Sequence, residues 1–186
     1  MSILYITDTH FGHENSIRFC NRPFADVNEM NRTLIKNWNA KVTPDDDVYV
    51  LGDFAYRCAT SVRNIARQLN GKKHLVVGNH DVSWMKDKGA VVEFYEVAPL
   101  LEIKDEERLV TLCHYPMMAW RNSKRSFSWL VHGHIHNNVQ DEYWPLLTTM
   151  KRALNAGADI NGFTPVTFDE LIENNQKWKR TNAQLA

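Results

Sequence analysis

The feature that most constrains this chain is the place where its apolar runs stop. Ile3-Leu4-Tyr5-Ile6 runs into Asp8-Thr9-His10-Phe11-Gly12-His13, and Val48-Tyr49-Val50-Leu51 into Gly52-Asp53. Residues 73–77 end at Gly78-Asn79-His80-Asp81, and Trp129-Leu130-Val131 at His132-Gly133-His134-Ile135-His136. A short apolar run rich in β-branched and aromatic residues, bounded by turn formers, reads as a buried strand. Each such strand here carries Asp, Asn or His just past its end. Of the eight histidines, His10, His13, His80, His114, His134 and His136 fall in these short polar clusters.

The intervening segments supply the rest of the layout. Asp26 is a suitable N-cap for a helix through residue 37 or 38, with Glu29 completing a capping-box pattern. Val27, Met30, Leu34 and Trp38 recur at helical spacing and give that helix one apolar face. Residues 61–69 read as a second helix closed by Asn70-Gly71. Later, residues 91–97, 100–104, 108–113, 129–131 and 152–155 read as strands, with a charged hairpin turn at 104–107, and residues 168–178 as a closing helix. Helix and strand alternate early and strands dominate late. That pattern predicts an α/β layered domain with mixed sheets flanked by helices. Every cluster follows a strand, where open α/β sheets place their ligands.

A chain of 186 residues suffices for one domain with a substantial core. Acidic and basic residues balance at 22 each, so no global field draws the protein to nucleic acid or a membrane. No basic segment precedes an apolar leader at the N-terminus, and no stretch approaches the roughly 20 apolar residues needed to cross a bilayer. The three cysteines, Cys20, Cys58 and Cys113, have no paired spacing. They read as reduced thiols, and a cytoplasmic location is expected.

The clusters offer carboxylate, amide and imidazole donors and no thiolate. Mixed nitrogen and oxygen ligation suits Mn, Fe, Zn or Ni, and the imidazoles argue against a pure Mg or Ca cage. Glycines before Asp53, Asn79 and His134 allow the backbone to turn sharply beside a shared centre. Taken singly, each cluster has an ordinary reading. A lone Asp or His at a strand end is usually a cap or a surface residue, and Gly-Asp is a common turn. Five in order within so short a chain point to a site.

In that order the clusters resemble the calcineurin-like metallophosphoesterase family, whose signature is D-x-H, G-D, G-N-H-[DE], a later His, and G-H-x-H. Here these are Asp8-Thr9-His10, Gly52-Asp53, Gly78-Asn79-His80-Asp81, Cys113-His114 and Gly133-His134-Ile135-His136. The Asp-Thr-His-Phe-Gly-His opening, His114-Tyr115-Pro116 and the late Asn155-Ala156-Gly157-Ala158-Asp159-Ile160-Asn161 look like a small bacterial and phage-type subgroup. The resemblance implies two divalent metals, manganese first among the candidates. One would be held by Asp8, His10, Asp53 and His136, the other by Asp53, Asn79, His114 and His134, with Asp53 bridging. It implies that His80 is not a ligand but stands over the substrate phosphate. Two metals about 3.5–4 Å apart clamp phosphoryl oxygens and acidify a bridging water.

Larger protein phosphatases of the superfamily carry G-D-x-x-D-R-G, where this chain has Gly52-Asp53-Phe54-Ala55-Tyr56-Arg57-Cys58. Tyr56 replaces the second aspartate, which argues against a protein phosphatase. His13, Arg57 and Arg121 are candidate substrate contacts, the last in the cationic segment Trp120-Arg121-Asn122-Ser123-Lys124-Arg125 that is able to read a phosphate and stack a base. Arg18 and Arg22 flank the first loop and raise the same question. The expected function is hydrolysis of a small phosphorylated or nucleotide-like substrate, diester or monoester. A nuclease is disfavoured by the neutral charge. A protein-binding scaffold on the same fold is disfavoured by retention of His80. Oligomeric state is not legible.

Overall fold

A computed structural model describes residues 1–58 and 60–185. Its eight strands are β1 (Ile3–Ile6), β2 (Asp47–Val50), β3 (Lys72–Val76), β4 (Glu96–Ala98), β5 (Leu100–Asp105), β6 (Arg108–Cys113), β7 (Ser128–His132) and β8 (Ala153–Asn155). The helices are α1 (Glu14–Phe19), α2 (Val27–Lys41), α3 (Val62–Gln68), α4 (Asp81–Trp84), α5 (Lys88–Val91), α6 (Trp144–Thr149) and α7 (Phe168–Thr181). Two four-stranded sheets form, in the orders β1-β2-β3-β4 and β5-β6-β7-β8. The first is parallel throughout. In the second, only the β5–β6 hairpin is antiparallel. The layered, mixed α/β arrangement expected from the sequence is the one observed.

The apolar runs are continuous because both faces of the first sheet are covered. Side chains alternate across a strand. Leu4, Ile6, Val48 and Val50 therefore face Met30, Leu34 and Trp38 of α2 and Ile65 of α3. Tyr5 and Tyr49 face the other way, toward Val110, Leu112, Val131 and Leu154 of the second sheet, with Phe168 and Leu171 of α7 in the same cluster. The outer face of the second sheet carries Leu130 and Ala153 under Trp144 and Leu147 of α6. The sheets meet beyond the end of β1, where Thr7 N donates to Ala156 O at 3.1 Å and Ala158 N to Thr7 O at 3.0 Å. That junction sets the C-terminal rims of both sheets side by side.

Local expectations hold in part. The Asp26 side chain caps α2, accepting from Asn28 N and Glu29 N at 2.7 and 2.8 Å. Glu29, however, reaches Ala25 N and not the N-cap itself. The reciprocal capping box belongs to α7, between Thr167 and Glu170. The strand expected over 91–97 is corrected. Asp87 caps a short helix, α5, that consumes Val91, and β4 begins only at Glu96. The cause is tertiary: Phe94 turns into the core against Phe54 and Trp84, overriding the β-propensity of its neighbours. Among the described residues no helix is long and apolar enough to cross a membrane.

Candidate metal centre

The loops after β1, β2, β3, β6 and β7 converge on one point. Backbone bonds knit them: Asp8 N donates to Gly52 O, His10 N to Asp53 O, and Gly133 N to His114 O, all within 3.0 Å. Asp8, His10, Asp53, His134 and His136 all have positive φ, between 50° and 73°. Side-chain-bearing residues rarely adopt this left-handed conformation. Here it swings five side chains inward from the ends of three strands, β1, β2 and β7. Gly52, at φ +91°, turns in the way the sequence implied. Gly78 and Gly133 serve close approach instead: a Cβ on Gly78 would lie 2.5 Å from Asp53 N, and one on Gly133 2.7 Å from Asp8 Oδ2.

Two donor groups result. Asp8, His10 and His136 form one and Asp53, His114 and His134 the other, each with its donor atoms within 4.8 Å of one another. The Asp53 carboxylate stands between them, Oδ2 lying 3.6 Å from both His10 Nε2 and His114 Nε2. Asn79 Oδ1 is 3.1 Å from His114 Nε2. The outward nitrogens of two rings are already satisfied. His114 Nδ1 meets Leu51 O at 2.7 Å, and His136 Nδ1 meets Asp159 Oδ2 at 2.8 Å. With the proton on Nδ1 in each, the Nε2 lone pair faces the centre.

Two observations show that this centre suits a cation. Asp8 Oδ1 is buried and makes no hydrogen bond. His10 Nε2 and His136 Nε2 stand 3.2 Å apart and need a proton or a cation between them. Burial holds His10 well below the ordinary imidazole range and also lowers His134. It raises Asp8 above the usual carboxylate range. For His136 burial also opposes the charge, but the Asp159 hydrogen bond, the Cys20 contact and the Asp8 and Asp159 carboxylates outweigh it and push it up to about 11.

Asp81, Arg22 and Asp159 hold this arrangement, a supporting role that sequence reasoning assigned to none of them. Asp81, fully buried, accepts from Gly78 N, Asp53 N, Phe54 N and Trp84 Nε1 at 2.8–2.9 Å. Burial raises its carboxyl to about 6 against those donors. Arg22 does not flank a substrate. It is buried, forks onto Asp159 at 2.8 and 3.1 Å, and donates to Asp8 O and Thr9 O at 2.6 and 2.9 Å. Arg18 donates to Asn15 on the surface. Cys20, His136 and Asp159 also lie within metal-ligand spacing. There, however, both Asp159 oxygens are engaged by Arg22 and His136, and the guanidinium repels a cation.

His80 sits at the mouth. Its backbone N–H donates to Asp53 Oδ1 at 2.9 Å, while its ring, a third exposed, reaches 3.8 Å from Asp53 Oδ2. Tyr56, which stands where the larger protein phosphatases carry an aspartate, packs edge-on against that ring at 4.3 Å between centroids. A cavity of about 630 Å³ opens here, and His13, Tyr56, Arg57 and His80 line it. Burial lowers His13 to about 4, so it is neutral at pH 7. The Arg57 guanidinium lies over the Tyr56 ring. Arg121 does not join them: it pairs with Glu102 of β5 at 2.9 Å and is absent from the cavity wall. Trp120 is likewise committed, to Ser128 and the α6 cluster.

The family model described as calcineurin-like phosphoesterase matches residues 1–181. An uncharacterized protein of Methanocaldococcus jannaschii is 34% identical over 184 residues, covering 95% of this chain and 93% of that one. The gene 66 protein of Mycobacterium phage L5 is 28% identical, covering 91% of each. The crystal structure of a protein of unknown function from Aquifex aeolicus superposes with a TM-score of 0.70 at 27% identity, over 92% of this chain and 97% of that one. The chain belongs to the calcineurin-like phosphoesterase family.

Proposed function

We propose that this calcineurin-like phosphoesterase hydrolyses a phosphoester bond of a small phosphorylated or nucleotide-like substrate with two divalent cations, manganese first among them. Asp8, His10, Asp53 and His136 would hold one cation. Asp53, Asn79, His114 and His134 would hold the other. The observation that carries this reading is the Asp53 carboxylate poised equidistant from an imidazole of each group. Bound there, the cations supply charge that polarises phosphoryl oxygens and makes water acidic enough to attack at neutral pH.

The chain's own residues account for the remainder. Neutral His10, and His114 with its Nδ1 tied to Leu51 O, offer lone pairs to the centre. Asp81 fixes the Asp53 backbone, so the shared carboxylate stays between the two groups. His80 faces the cavity and is suited to place a proton or a positive charge on the departing oxygen. Tyr56 limits its swing. Arg57 and His13 stand on the cavity wall where the rest of the substrate would lie, in a volume ordinary for a small-molecule site. Neutral overall charge supports a small substrate over nucleic acid.

Manganese-loaded protein is expected to release p-nitrophenol from p-nitrophenyl phosphate or its bis ester. Asp53→Asn should retain the fold, bind fewer than two metals and lose nearly all turnover. Wild-type turnover in that variant would overturn the shared-carboxylate reading.

A further inference from the structure

Arg22 and Asp159 are 137 positions apart in sequence and meet with side chains 0% and 2% exposed. The pair does more than satisfy itself. On one side the guanidinium donates to the carbonyls of Asp8 and Thr9, in the loop that carries Asp8 and His10. On the other, the Asp159 oxygen that accepts from Arg22 Nη2 also accepts from His136 Nδ1. The Asp8, His10 and His136 donors come from two different sheets, yet one guanidinium–carboxylate unit grips both loops. Among the described residues no buried ion pair grips the Asp53, His114 and His134 group: Asp81 holds the Asp53 backbone, Leu51 O meets His114 Nδ1, and Asp8 Oδ2 accepts from His134 N.

We propose that Arg22 and Asp159 are positioning residues that set the cation affinity of the Asp8/His10/His136 half of the centre and leave the other half largely alone. This rests on the two-cation reading above. A carboxylate behind a ligating imidazole fixes its tautomer and ring orientation, and loss of such a partner typically weakens binding about 10- to 100-fold. Asp159 meets that description for His136. Arg22 extends it, because its planar fork matches the carboxylate while its remaining donors hold the backbone of Asp8. Lysine, a point charge on a flexible stem, reproduces the charge and not the grip.

The test is manganese titration of the metal-free full chain by calorimetry, with metal content after dialysis as a second readout and no substrate present. Wild type is expected to take up two ions. Asp159→Asn and Arg22→Lys should each weaken one binding step about 10- to 100-fold, leave the other within about threefold, and retain close to one ion after dialysis. Leu171→Ala, which opens a cavity in the α7 packing and removes no hydrogen-bonding side chain, destabilises the fold as a control and should keep both steps. Equal weakening of both steps, or the same loss in the Leu171→Ala control, makes the ion pair merely structural and overturns the proposal. Two wild-type-like steps in both charge variants overturn it as well. Wild type that binds no manganese overturns the two-cation reading itself, and the proposal with it.

Discussion

Asp81 is the clearest place to test whether buried hydrogen bonds hold the candidate centre. Its Oδ2 accepts from Gly78 N and Asp53 N, and its Oδ1 from Phe54 N and Trp84 Nε1. In Asp81→Asn either amide rotamer sets an NH₂ group against two N–H donors. Two buried donors then lose their acceptor at about 1–3 kcal/mol each. Local relaxation recovers part of this, so the expected loss is about 3 kcal/mol. Asp81→Ala leaves all four donors without an acceptor and should cost more, about 4–5 kcal/mol. For a chain of this size about 3 kcal/mol lowers Tm by roughly 6–12 °C. The assay is urea unfolding of the metal-free protein, comparing midpoints at unchanged m. An Asp81→Asn loss below about 1 kcal/mol, or an alanine variant no worse than the asparagine one, would refute the reasoning.

Other substitutions separate the roles assigned above. His80→Ala should keep two bound metals by elemental analysis while turnover falls about 10²- to 10⁴-fold; loss of a metal would make His80 a ligand. Gly78→Ala puts a Cβ 2.5 Å from Asp53 N, so it should cost about 1–3 kcal/mol and reduce activity, both visible in one purified sample. Asp46 accepts from Thr43 N, Ser2 N and Thr43 Oγ1, and those bonds hold its carboxyl below the usual carboxylate value. Its contribution is therefore present at neutral pH and lost as pH falls through the carboxylate range. Asp46→Ala should be about 2 kcal/mol less stable than wild type at pH 7. Urea titrations at pH 7 and pH 3 should show that gap narrowing.

The residues that the fold gathers at the candidate centre stand out in the sequence for a physical reason. A buried parallel strand is nearly all apolar, so polar side chains just past its end stand out, and order along the chain did the rest. What supports them was not legible. Asp81 reads as one more acid in a turn until its carboxylate is seen to meet Asp53 N and Phe54 N, 28 and 27 positions away. Arg22 reads as a surface cation until the fold closes around it, because nothing local marks it as buried. Arg121 erred in the other direction: a cationic loop beside a proposed ligand suggested substrate, yet the second sheet offers Glu102 nearer by. The short helices were hidden as well. α1 and α4 are too short for helical periodicity to register, and α5 lies in a segment whose Val and aromatic residues favour strand.

The left-handed backbone at Asp8, His10, Asp53, His134 and His136 has a consequence for engineering. Each of the three histidines costs about 1–2 kcal/mol relative to a relaxed conformation, and the two aspartates cost less, because a short polar side chain tolerates that region. Together they take up a large share of the folding stability of an ordinary domain, about 5–15 kcal/mol. Selecting variants for thermal tolerance alone would therefore draw glycine to these positions. The sturdier protein so obtained would have traded away its candidate centre one donor at a time, and a stability screen run without an activity filter would report that trade as success.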